Sequence, residues 1–224
     1  MTTTLLTLCH ALVWVYWLGG DLGAFCASFY ATDPARPPRE RMLALELVNV
    51  VDTAPNIALV LMLPTGLSLA MSAGWLPVSL PLLTMLWMSS LAWLWLSLRV
   101  HRSPGPTTQG LARIDTVVRI TVIGVLAVIG CVAIAAWWRP SSLSVSIPLF
   151  LGMKCLILAL ATFFGLRIRP PLREFVAAFS KLTPQTDAVL EHRLRRSMNR
   201  CRYWVVAIWV CLILAALIGI WRPV

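Results

Sequence analysis

Charge is scarce in this chain. Of 224 residues only 12% are Asp, Glu, Lys or Arg, and nine of those are acidic. That shortage, beside 59% hydrophobic residues and a mean hydropathy of +0.81, excludes an ordinary soluble domain with an ionic surface. The six cysteines contain no C-x-x-C pair and fall mostly in apolar runs, so they read as structural thiols, not as disulfides or metal ligands. The N-terminal "MTTTLLTLCH" has neither a basic leader nor a following A-x-A site, so residues 5–30 read as a retained span. Strand-like alternation is missing as well. Inside a bilayer only helices and closed barrels satisfy their own backbone, which leaves helices.

Apolar runs long enough to cross a bilayer are plentiful. A spanning helix needs about 20 mainly apolar residues. Six segments qualify, at about 5–30, 43–74, 80–99, 112–138, 147–167 and 202–221. The sequence therefore predicts an all-α polytopic membrane bundle of six transmembrane helices in one membrane domain. The net charge of +10 does not point to nucleic acid, because the basic residues lie in the connections between spans. The first, third and fifth connections carry them. The second, "SAGWLPVSLP", carries none, and the fourth only Arg139. By the positive-inside rule both termini lie outside and the three basic connections lie in the cytoplasm, as in a bacterial-type inner membrane protein in contact with its lipids.

The fifth connection is long enough for structure of its own. In "LREFVAAFSKL" (172–182) Leu172, Phe175, Phe179 and Leu182 recur at helical spacing. They predict a short cytoplasmic helix lying on the membrane surface. Thr183 with Pro184 reads as a cap, and the last helix is expected to begin near residue 187.

Three even-numbered spans end in "GWLP", "WWRP" and "IWRP", at Trp75, Trp138 and Trp221. Interfacial Trp followed by Pro is anchor chemistry, and it also suits a repeated hairpin. Asp52, Asp115 and Met198 lie 23 residues before these tryptophans, and Asn56, Arg119 and Arg202 lie 19 before. Asp21 falls at a similar depth, about 24 Å into the first span at 1.5 Å per residue. Asp21, Asp52, Asn56, Asp115 and Arg119 are thus expected to meet as a buried polar cluster, with Asp115 and Arg119 paired along one helix. Such a cluster fixes helix register, or serves as a proton path or as a site for a polar headgroup or a propionate.

The first span carries a second polar feature at its other end. His10, Trp14, Trp17 and Asp21 form one stripe, and Gly19, Gly20 and Gly23 begin a small-residue face that admits a neighbouring helix or a flat cofactor. His10 reads either as an interfacial hydrogen-bonding residue or as a ligand. Met85, Met88, Met153 and Lys154 share its depth, with Cys9 beside it. Together they make a candidate site for a soft metal or a haem.

The pattern His10-x6-Trp17-x-Gly19-Gly20 resembles the first helix of the copper-resistance D (CopD) family and of related HemJ-type membrane proteins. "DTAPNIALVLMLPTGLSLAMSAGW", from Asp52, is similar to their second helix. The likeness covers about residues 5–75. It implies either a haem-b-binding membrane oxidoreductase or electron-transfer protein, with a quinone or a redox protein as partner, or copper passage across the inner membrane. On the haem reading His10 is the axial ligand, Trp14, Trp17 and Gly20 wall the pocket, and Lys154 or Arg119 meets the propionates. On the copper reading His10 acts with Met85, Met88 or Met153. The families commonly place a further His near the outer start of a later helix. This chain has none there, which leaves His/Met haem, five-coordinate haem, Cu(I) or no metal. A non-catalytic anchor or assembly subunit of a respiratory complex is the remaining reading.

Overall fold

The computed structural model describes residues 1–102, 108–138, 147–183 and 187–222. Arg139 and Pro184, used above for the fourth connection and for a cap, lie outside them. The helices are α1 (Thr2–Ala31), α2 (Pro38–Val51), α3 (Thr53–Ser72), α4 (Leu80–Arg102), α5 (Gln109–Trp138), α6 (Leu149–Phe179) and α7 (Ala188–Trp221). Counting α2 and α3 as one crossing, six helices are long and apolar enough to span a membrane. Large apolar side chains such as Leu8, Val117, Val125, Ile213 and Ile220 stand exposed on the outside, as a lipid-facing surface requires.

The second span is two helices, not one. Asp52 both closes α2 and opens α3. Pro55 brings no N–H to the carbonyl of Val51, so the regular ladder is interrupted there. The Asn56 side-chain amide donates to the Asp52 carbonyl at 2.9 Å beside the break.

The helices close a ring. α1 packs on α2, α3 and α7; α3 packs on α4, α4 on α5, α5 on α6, and α6 on α7. Contact is most extensive between α1 and α3 and along α5–α6–α7, and thin where α4 meets α5 and where α1 meets α7. Two three-span halves therefore face each other across two seams. Bulky side chains fill the space between them: Trp17 of α1, Trp93 and Leu96 of α4, and Ile208 and Leu212 of α7 belong to one buried cluster. Both chain termini lie at one end of the ring. Thr3 bonds Ser72 at 2.8 Å, and the Arg222 guanidinium lies 4.7 Å from the Trp75 ring centre.

The segment 172–182 departs from the sequence expectation. It is not a separate surface helix. α6 runs unbroken through Pro170 and Pro171 to Phe179. Phe175 is fully buried and packs with Phe179 in a cluster that includes Leu194, Met198 and Cys201 of α7. Helix α7 covers this apolar face, and that packing offsets the two lost helix N–H groups. α7 then begins at Asp187, whose carboxylate accepts from the Leu190 N–H at 2.8 Å. The cysteines also differ from expectation: Cys201 and Cys211 are buried, while Cys9, Cys26 and Cys131 are exposed on the outer surface, and all are free thiols.

Candidate functional site

The two seams are joined by polar side chains where the backbones stand apart. At the α4–α5 seam the centre is Asp115, 1% exposed. Its Oδ2 accepts from Arg119 Nε at 3.0 Å and from Arg169 Nη2, and its Oδ1 accepts from the Trp93 indole at 3.1 Å. Arg119 extends the network to the other half: its Nη2 donates to Asn56 Oδ1 and to Ser97 Oγ, both at 3.2 Å. Asn56 in turn donates to Asp52 Oδ2 at 3.0 Å. Arg169 also bonds Thr116 Oγ1 at 2.8 Å. One carboxylate thus holds two guanidinium groups, and hydrogen bonds satisfy the remaining lone pairs. A buried ion pair needs this completeness to offset its desolvation.

Asp21 stands beside this network without joining its hydrogen bonds. It is 6% exposed, and its Oδ2 has no partner among the described residues. Trp17 lies beside its carboxyl one turn earlier, and the charge of Asp52 reaches it from the α2–α3 break. The α1–α7 seam holds a second buried polar atom without a partner among the described residues, Nε1 of Trp209 on α7. Trp209 packs on Phe25 of α1 with ring centres 5.0 Å apart.

The α1–α7 seam is tied lower down by Arg202. Its Nε donates to Ser28 Oγ and its Nη2 to Thr32 Oγ1, each at 2.8 Å, while the guanidinium lies 3.8 Å from the Phe29 ring centre. Arg41 of α2, 2% exposed, completes this end. It grips Glu191 of α7 with two bonds of 2.6 and 3.0 Å and caps α1 by donating to the Ala31 carbonyl at 3.1 Å. Sequence reasoning assigned Arg41 and Arg169 to basic connections and did not single out Glu191. Only Arg202 carried a signal, its place in the register that also held Asn56 and Arg119.

Near the terminal end, His10 Nδ1 lies 2.9 Å from Thr65 Oγ1 of α3. The Thr65 hydroxyl donates its one proton within its own helix, to the Leu61 carbonyl at 2.7 Å. With that proton on the Leu61 carbonyl, the hydroxyl accepts from His10 Nδ1–H; His10 Nε2 has no hydrogen bond among the described residues. Gly66 makes the room: a Cβ there would stand 3.1 Å from His10 Cε1. Lys154 of α6 reaches toward α7, where a Cβ on Gly219 would stand 2.5 Å from its Nζ, and its charge acts on His10.

The other residues expected around a cofactor are otherwise engaged. Gly20 does not face a flat ligand; a Cβ there would stand 2.5 Å from Pro55 Cδ, so the glycine lets α1 close on α3. Trp17 is packed in the bundle centre, and the Trp14 indole donates to the Leu212 carbonyl at 3.2 Å. Arg119 is engaged through Nε and Nη2 with Asp115, Asn56 and Ser97. Met85 and Met88 point away from the bundle, at 72% and 68% exposure, because α4 turns that face to lipid. Met153 is half-buried on α6. Among the described residues no three of His, Cys, Asp and Glu come together as a metal site.

No family model, no curated protein and no solved structure matches this chain.

Proposed function

We propose that the chain is an integral membrane haem-b-binding redox protein in which His10 is the axial ligand, acting in electron transfer in a bacterial-type inner membrane. The observation that carries this reading is the His10–Thr65 hydrogen bond, which orients the imidazole. A histidine whose Nδ1–H is held by a neighbour presents Nε2 in one orientation, the arrangement by which outer partners orient metal-bound histidines. Thr65 is that partner here, and Gly66 gives the ring its room. His10 would hold the haem iron through its imidazole. Lys154 is the cation available for a propionate.

Haem b, when bound, supplies a one-electron iron couple. The chain's own part is to orient the imidazole, to keep water from it with the apolar packing around Trp17, and to offer Lys154 to a carboxylate. Copper passage has weaker support, because it needs soft ligands beside His10 and two of the three candidate methionines face lipid.

The test is the visible absorption spectrum of the purified chain. Wild type should show a Soret band with reducible α and β bands. His10→Ala should lose them while still inserting, and Thr65→Val should shift them by releasing the ring. A wild-type preparation that stays colourless with haem supplied, or a His10→Ala variant with an unchanged spectrum, would refute the assignment.

A further inference from the structure

The far end of the ring, away from the termini, carries a cleft that the redox reading leaves unused. It lies between the last turns of α6 and the first turns of α7 and has a volume of about 490 Å³. Arg193, Arg196 and Arg200 line one wall at helical spacing, and Lys181 and Glu174 line the other. Four cations against one carboxylate give the cleft a net charge of +3. Its floor is small: Ala178 and Ser197 are buried there, so the long cationic side chains rim a hollow.

Those cations are poorly matched inside the protein. Arg200 meets Glu174 at 3.7 Å, with both side chains more than half exposed, so that pair contributes little. Lys181, Arg193 and Arg196 have no ion pair among the described residues. The contrast is with Arg41, Arg119 and Arg202, all buried with partners.

The level of the cleft identifies its ligand. Tyr203 and Trp204 lie three and four residues after Arg200 and are aromatic anchors of the interfacial kind. Arg200 and Arg196 then lie about 5 and 10 Å beyond that level along α7, in the headgroup layer. Exposed Tyr203 continues α7 beyond the cleft with apolar surface suited to acyl chains. We propose that the α6–α7 cleft binds the phosphodiester headgroup of an anionic membrane lipid. Its chemistry is that of a basic pocket at a helix junction facing the headgroups. The lipid bridges α6 and α7 and so stabilises the hairpin.

The experiment measures thermal unfolding of the full chain in nanodiscs of neutral phosphatidylcholine, titrated with cardiolipin or phosphatidylglycerol. Wild type should gain stability as anionic lipid is added. Arg193→Gln combined with Arg196→Gln should keep the wild-type melting temperature in neutral lipid but respond to anionic lipid on the order of tenfold more weakly. Arg99→Gln combined with Arg113→Gln removes the same charge elsewhere and should respond like wild type. An equal loss in both double variants would reduce the effect to diffuse surface charge and overturn the site. So would an equal gain from inorganic phosphate in neutral nanodiscs, since that would make the ligand a free anion.

Discussion

Arg119 reaches from one half of the ring to the other to meet Asn56, its Nη2 lying 3.2 Å from Oδ1. The two residues occupy the same register in α5 and α3, each 19 residues before the tryptophan near its helix end. The contact draws on Asp115, which holds the guanidinium from the preceding turn. Removing one member strands the others in a buried site.

Arg119→Leu leaves Asp115 with Arg169 alone and strips Asn56 and Ser97 of their donor. Breaking a buried pair one-sidedly costs about 3–5 kcal/mol. The variant should accumulate poorly and melt well below wild type in detergent. Asp115→Leu should be worse, since it leaves two cations facing each other. Combining both changes should recover part of the loss, because Arg169, 29% exposed, can turn to water. Equal loss in the single and double variants would show that the two residues are not coupled.

Gly19 and Gly20 are neighbours in sequence with opposite surroundings. A Cβ on Gly19 meets nothing within 4 Å, whereas one on Gly20 collides with Pro55. Gly20→Ala should therefore lower the melting temperature by forcing α1 off α3, at a cost of about 1–3 kcal/mol for overpacking. Gly19→Ala should be neutral or slightly stabilising, as alanine favours helix over glycine by about 1 kcal/mol. A reversed order in thermal unfolding would contradict the packing of α1 on α3.

Phe175 tests the end of α6. As a fully buried side chain against α7, its replacement by alanine should cost about 3–5 kcal/mol. Val176, the next residue, is 51% exposed, and Val176→Ala should change stability by no more than about 0.5 kcal/mol. Similar small effects at both positions would mean that this segment lies on the membrane surface and not against α7.

The orientation is open to direct measurement. The basic connections predict that reporters fused at residues 105 and 185 are active only as cytoplasmic reporters. Periplasmic activity at either position would invert the topology while leaving the ring itself untouched.

Span number and the depth of the polar residues were legible in the sequence, because both depend on distance along a helix of fixed rise. The spacing that set Asp52, Asp115 and Arg119 at one level needed no knowledge of neighbours. Azimuth and partner choice did not follow in the same way. Which way Met85 and Met88 face depends on how α4 is turned against α3 and α5, and the structure turns them to lipid. Arg41 and Glu191, 150 residues apart, form a buried bidentate pair that no local period announces. The sequence ends the fifth span near residue 167, yet burial of Phe175 and Phe179 against α7 carries the helix past Pro170 and Pro171 and brings Arg169 to Asp115. Local pattern determined which segments are helices and how deep each charge lies. Only the packing of the two halves decided which charges meet, because a buried charge is stabilised by partners brought from distant segments and not by its own helix alone.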